Sequence, residues 1–215
     1  STASFRCRLV NSFRIGSIGR MSEAVATRLS GWGRTTPTVA QLVEANSPSQ
    51  IADLITAASS RGVLARGLGR SYGDAAQSGG ATVIDMTTMT EFSLNPDNMS
   101  VTADAGVSID SILREIVPRG FFVPVSAGTR IITVGGAIAA DIHGKNHHRD
   151  GSFGAHVTEL VIINGLGELQ TLTPKDPKFW ATIGGMGLTG IITSATFTVI
   201  PIQSSYISVD TERLK

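Results

Sequence analysis

Apolar residues recur at helical spacing in two stretches of the chain and alternate or cluster as strands in most of the rest. In SPSQIADLITAASSRG (47–62), Ile51, Leu54, Ile55 and Ala58 fall at i, i+3, i+4 and i+7, one face of a helix. Ser47 suits the N-cap, Pro48 the first helical position, and Gly62 the stop. VSIDSILREIVPRG (107–120) repeats the pattern with Ile109, Ile112, Leu113 and Ile116, closing at Gly120. VLARG (63–67), ATVIDM (81–86) and FFVPV (121–125) read as strands. FSLNPDNMSVTADAG (92–106) predicts a hairpin turning at Asn95 to Asn98. ELVIINGLGELQTLT (159–173) predicts a second, turning at Asn164-Gly165. PKDPKFWATIGG (174–185) holds a short helix, and GIITSATFTVIP (190–201) is a long β-branched strand. A helix followed by extended segments thus appears twice, at 47–86 and again from 108. The pattern predicts an α+β fold of two small mixed layers in sequence.

Composition narrows the function. Apolar residues make up 41% and charged residues 16%, so the chain is globular. A net charge of +1 leaves no basic surplus for a large nucleic-acid footprint. The single cysteine, Cys7, excludes a disulfide within this sequence. No apolar run has the length of a membrane span. Residues 1–20 carry four arginines and no acid. They are Arg- and Ser-rich like a transit peptide but lack an apolar signal core. The preferred reading is a disordered upstream extension, with Met21 as the natural start. The polar ending at Lys215, soon after Pro201, predicts the first part of a longer protein.

The 24 glycines exceed the about 15 of average usage, and they cluster. ARGLGRSYGDAAQSGG (65–80) follows a strand and can turn successive amides toward one anion. Its G-x-G-x-x-x-G spacing and the strand that follows exclude a Rossmann fingerprint. SAGTRIITVGGAIAADIHG (126–144) offers two further sets of backbone donors, at Gly128-Thr129 and at Thr133 to Gly136. A helix of tiny residues follows, to which a flat ring could come close. FWATIGGMGLTGIIT (179–193) brackets a bend before a buried strand. Each cluster alone is compatible with a turn or with close packing. Together they suit one extended ligand with two phosphates and a ring system.

These stretches, with TRLSGWGRTTPT (27–38) and the full AGTRIITVGGAIAADIHGKNHHRDGSFGAHV (127–157), resemble the FAD-binding domain of vanillyl-alcohol-oxidase (PCMH) type flavoproteins, from about Thr27 to Pro201. Within that group they resemble the oxidases of polyprenyl-phosphate-linked ribose. The resemblance implies a two-subdomain FAD-binding domain over residues 21–201, with a substrate domain opening at 202–215. It implies FAD lined by Ala65, Arg66, Gly67, Leu68, Gly69, Arg70, Ser71, Tyr72, Gly73, Asp74 and Ala75. Gly128, Thr129, Thr133, Val134, Gly135 and Gly136 join them. Ala140, Asp141, Ile142 and His143 lie near the ring, and Ile192 on the adenine side. It implies oxidation of the 2-hydroxyl of a decaprenylphosphoryl ribose, then reduction by a partner keto-reductase to the arabinose epimer for cell-wall arabinan. Such an enzyme meets a membrane surface and belongs at the cell envelope. A sugar or aldonolactone oxidase of the same fold, or a noncatalytic FAD-binding module, is the alternative. A lysine of the family's C-terminal return segment has no counterpart in this sequence.

Many proteins of the wider fold attach FAD covalently through a histidine in a GGGHS-like first loop. Here that loop reads GLGRS, with Arg70 in the histidine's place, so noncovalent FAD is expected. Arg66 and Arg70 are cations that can neutralise pyrophosphate. Three of the four histidines lie in HGKNHH. His143 and His147 are four apart, but no cysteine or carboxylate set completes a metal site, and none is expected. His143, at the end of the tiny-residue helix, is the candidate to hydrogen-bond cofactor or substrate hydroxyl; imidazole suits proton transfer near neutrality. Tyr72 is the second catalytic candidate, beside the flavin pocket. Lys145, His147 and His148 either order a loop or meet the lipid phosphate. Trp32 and Arg34 are expected to anchor the N-terminal segment over the site.

Overall fold

The computed structural model describes residues 23–212. The extension expected at residues 1–20 lies outside them. Strands β1 (Val25–Leu29) and β2 (Thr38–Glu44) lead into helix α1 (Pro48–Thr56), then β3 (Val63–Arg66) and β4 (Thr82–Asp85). They form a four-stranded sheet ordered β1-β2-β4-β3. β1 runs antiparallel to β2, while β2 and β3 both run parallel to β4. Neighbouring parallel strands need a long crossover, usually a helix. Between β3 and β4 that crossover is the glycine-rich loop 67–81.

The second half contains β5 (Phe92–Asn95), β6 (Ser100–Asp104), α2 (Ile109–Ile116), β7 (Phe121–Phe122), α3 (Val134–Ala139) and α4 (His147–Asp150). It continues with β8 (Val157–Ile163), β9 (Leu169–Leu172), α5 (Pro177–Thr182), β10 (Ile191–Thr198) and β11 (Ile200–Pro201). Its main sheet, ordered β5-β6-β10-β8-β9, is antiparallel throughout rather than mixed. β7 and β11 pair apart from it. One apolar cluster joins the halves. Val43, Ile51 and Ile84 of the first pack in the same core as Val101, Ile112, Leu160 and Phe197 of the second. A smaller cluster of Leu29, Ala40 and Val83 sits on the other face of the first sheet.

Local chemistry explains most element ends. Ser47 caps α1 by accepting from the Gln50 amide, and Ile51 and Leu54 are buried. The helix stops at Thr56, short of Ala58 and Gly62, where the Ser59 hydroxyl captures the Arg61 amide. Ser108 caps α2, whose Ile109, Ile112 and Ile116 are buried as expected. The strand in FFVPV is confined to Phe121–Phe122, since Pro124 has no amide to donate. The hairpin at 164–168 turns with Gly167, not Gly165, in the left-handed region (φ 79°). β1 and β2 were not foreseen: their burial alternates weakly because one side of this edge faces solvent.

Candidate functional site

One elongated cleft runs between the halves, and all three glycine clusters reach it. Its inner part is lined by Ala65 and Gly67 of the first loop, Gly135, Gly136 and Ala139 of α3, and Met186, Gly187, Ile191 and Ile192 of the third cluster. Its outer part is lined by Trp32, Arg70, Tyr72, Asp74, Gly128 and Thr129. A side recess carries Leu68, Thr133 and Ile142. Ser71 and Ala140 border all three, so the parts are continuous.

The first loop is open to an anion. Among the described residues, no hydrogen bond takes an amide of residues 67–75 as its donor. Amides left unpaired by the fold need water or a ligand. The loop is held from behind. Arg66 donates to Ala76 O at 2.6 Å and to Ser30 O at 2.9 Å. Burial pulls the Arg66 pKa down, while Asp85, its partner in the β3–β4 register, pulls it up. Arg66 therefore straps the loop rather than lining the cleft. Gly69 (φ 63°) sits directly beneath its guanidinium. Trp32 and its neighbours close the loop's other side. The Trp32 amide donates to Ser71 O at 2.7 Å, and a side chain at Gly33 would collide with the Tyr72 carbonyl. Arg70 stacks over the Trp32 ring at 4.9 Å and donates to Ile131 O at 3.2 Å, bridging the two rims.

The start of α3 behaves differently from the sequence expectation. Its first amides are already used. Val134 N donates to Val107 O, Gly135 N to Ala105 O, Gly136 N to Thr133 Oγ1 and Ala137 N to Thr133 O. The first two bonds fix α3 to the segment that follows β6 and the two to Thr133 cap its first turn, so the helix contributes a wall of small side chains, not a row of donors. Val134 is buried in the core. A Cβ at Gly67 would overlap Thr133, which sets how closely loop and helix approach. The third cluster, readable alone as a bend, is tied to this wall. Gly184 N donates to Ile138 O and Met186 N to Ala139 O, satisfying carbonyls at the helix end. Met186 lines the inner and outer cleft and was missed, because its role depends on contacts with α3 rather than on its neighbours in sequence.

α3 ends at Ala139 rather than reaching His143. Asp141 turns the chain at φ 42°. Its carboxylate accepts from Gly154 N at 2.9 Å, and it lines no part of the cleft. His143 is exposed, one residue beyond the cleft-lining Ile142, and bridges to Ser152. KNHH, expected as loop, holds the one-turn α4. The His143 and His147 rings meet edge-on at 5.2 Å, and His147 Nδ1 lies 3.0 Å from Gly144 O. Tyr72 is 79% exposed at the cleft mouth. Arg34 (φ 52°) forms the turn after Trp32.

The cleft fits FAD. It offers free amides for a pyrophosphate, a wall of glycine and alanine against which a flat ring can lie, and an apolar floor at Ile191 and Ile192. The sequence profile of the FAD binding domain family matches residues 39–173. The chain is 50% identical over 190 residues to the decaprenylphosphoryl-β-D-ribose oxidase of Mycolicibacterium smegmatis, covering 85% of this chain and 41% of that protein. It is 33% identical over 136 residues to cytokinin dehydrogenase 2 of Arabidopsis thaliana, covering 62% and 27%. It is 26% identical over 189 residues to a D-lactate dehydrogenase of Anaerostipes hadrus, covering 83% and 39%. The chain thus spans less than half the length of these curated relatives.

Proposed function

The chain belongs to the FAD binding domain family, and we propose that it forms the FAD-binding part of a decaprenylphosphoryl-β-D-ribose oxidase. The observation that carries this reading is the cleft in which Gly67, Ser71 and Ala75, of a loop whose amides make no hydrogen bond among the described residues, lie with Gly135, Gly136, Ala139 and Ala140. The choice of substrate rests on the 50% identity, over 85% of the chain, to the M. smegmatis oxidase. Bound FAD would supply the hydride acceptor for oxidation of the ribose 2-hydroxyl to the ketone.

The chain's own residues divide the remaining work. Amides of the first loop hold the pyrophosphate, with Arg70 as a nearby cation. Gly135, Gly136, Ala139 and Ala140 let the ring system lie close and keep water from one face. Ile191 and Ile192 give the adenine side an apolar seat. Tyr72 shapes the mouth where the sugar enters. His143 hydrogen-bonds the substrate hydroxyl or the cofactor edge and receives the hydroxyl proton. FAD is held noncovalently, since Arg70 cannot form the bond that a histidine forms in its place. Residues 21–201 make up the FAD domain, and residues 202–215 open a substrate domain. A partner keto-reductase then reduces the ketone to the arabinose epimer. The lipid-linked substrate brings the protein to a membrane surface of the cell envelope. Among the described residues no helix is long and apolar enough to cross a membrane.

The test uses the full-length protein. Acid precipitation should release the yellow colour to the supernatant; colour kept in the pellet would refute noncovalent binding. Anaerobic mixing with decaprenylphosphoryl ribose should bleach the protein. Bleaching by aldonolactones instead would select the lactone-oxidase alternative.

A further inference from the structure

We propose that Asp141 is a positioning residue, which pins the base of the histidine-bearing loop to the end wall of the cleft; the inference rests on the reading of the cleft as an FAD and substrate site. Residues 143–152 leave α3 and return at Phe153. The excursion is pinched shut at its base. Gly154 N donates to Asp141 Oδ1 at 2.9 Å, Phe153 N donates to Ile142 O at 2.8 Å, and His143 bridges to Ser152. The Gly154 amide is buried, so its acceptor is not readily replaced by water. Asp141 is one of four non-glycine residues with positive φ among those described. A left-handed aspartate persists only where its surroundings hold it.

Asp141 also sits against the third glycine cluster, which the α3 wall carries. Its Cβ lies 3.4 Å from where a side chain at Gly184 would begin. Gly184 and Met186 cap the last carbonyls of α3. The residue therefore joins three pieces: the end of α3 with Ala140, the third glycine cluster with Met186, and the loop carrying His143. Its carboxylate touches neither cleft nor His143, so it acts through the segments that it locks. The resemblance placed Asp141 near the ring; the geometry points to a role one step behind it.

Three variants of the full-length protein test this. Asp141→Asn keeps an acceptor for Gly154 and tolerates the left-handed backbone. Asp141→Ala loses both, and Asp141→Gly keeps the backbone without the acceptor. Asp141→Ala should bind FAD within about twofold of the parent, yet be reduced by substrate about tenfold more slowly. Its Gly154 amide should exchange hydrogen about tenfold faster, the scale of one lost charge-assisted bond. Asp141→Asn should restore both. If Asp141→Ala does not fold, Asp141→Gly carries the same comparison. An unchanged reduction rate in the acceptor-free variant overturns the proposal, as does an unchanged Gly154 exchange rate. The exchange measurement does not depend on what His143 does. Fast exchange and slow reduction, beside a His143→Ala protein at the parental rate, would retire the role given to His143 and keep that of Asp141.

Discussion

Arg66 and Arg70 are four residues apart, one ending β3 and the other in the loop that follows, and do different work. Arg66 spends its guanidinium on the carbonyls of Ser30 and Ala76, and Arg70 stacks on Trp32 at the rim. The sequence suggested pyrophosphate neutralisation for both. Nothing local distinguishes them, because the Ser30 carbonyl is 36 positions away. Arg66→Met should cost about 2 kcal/mol of stability through two lost charge-assisted bonds, and loosen the loop enough to weaken FAD binding. Flavin fluorescence titration and a denaturant curve would measure the two effects. Gly67→Ala should act more sharply. The new methyl would strike Thr133, whose hydroxyl is fixed by capping Gly136. A destabilisation of about 1–3 kcal/mol is expected, with FAD affinity reduced at least tenfold; a variant that binds FAD like the parent would refute the close approach. That the glycine clusters converge on one cleft agrees with their reading as parts of one ligand's surroundings. Which amides stay free was not legible in the sequence, because the donors at the start of α3 are consumed by Val107 and Ala105, elsewhere in the chain.

At the scale of elements, periodicity located α1, α2, both hairpins and the closing strand. It failed at ends set by tertiary bonds. α3 stops where the third glycine cluster caps it, and α4 forms where Asn146 reaches Pro124 O and Asp150. Phe153 couples the histidine loop to the second sheet: its fully buried ring packs 5.1 Å from that of Phe197 on β10. Phe153→Ala should cost about 3–5 kcal/mol, read as a lower urea midpoint. α2 is linked to the cleft rim by Asp110, which pairs with Arg114 on its own helix and with Arg130 beside Ile131. The hydrogen bond from Arg114, then the charges of both arginines, holds the Asp110 pKa below the usual carboxylate range. A depressed folded-state pKa stabilises above the unfolded value, and that contribution fades as pH falls through the folded one. Asp110→Asn should therefore lower the thermal midpoint slightly at neutral pH. The gap to the parent should close as the pH drops below about 4; a gap independent of pH would mean that charge is not involved.

For the whole molecule, the α+β class was legible, but the pairing of strands was not. β10 sits between β6 and β8, and β4 inserts between β2 and β3. Such non-local order leaves no periodic trace. The cleft follows from this order, since its two sides come from the two sheets that share one core. FAD should therefore stabilise the chain as a unit: about 2.7 kcal/mol at a hundredfold excess over Kd, or about 5–10 °C in Tm. Differential scanning with and without added FAD would measure it, and a flat response would remove the cofactor from this cleft.

The crossover between β3 and β4 carries a last consequence. Its residues join two adjacent parallel strands and are also the ones that would wrap the cofactor. Parallel pairing of this kind is slow to nucleate, because loop closure precedes any reward from contacts. A ligand gripped by the finished loop contributes nothing until that closure is complete. Interactions absent from the folding transition state slow escape from the native state without hastening arrival. The cofactor would then act as a kinetic latch: the loaded protein would refold no faster than the empty one, and come apart far more slowly.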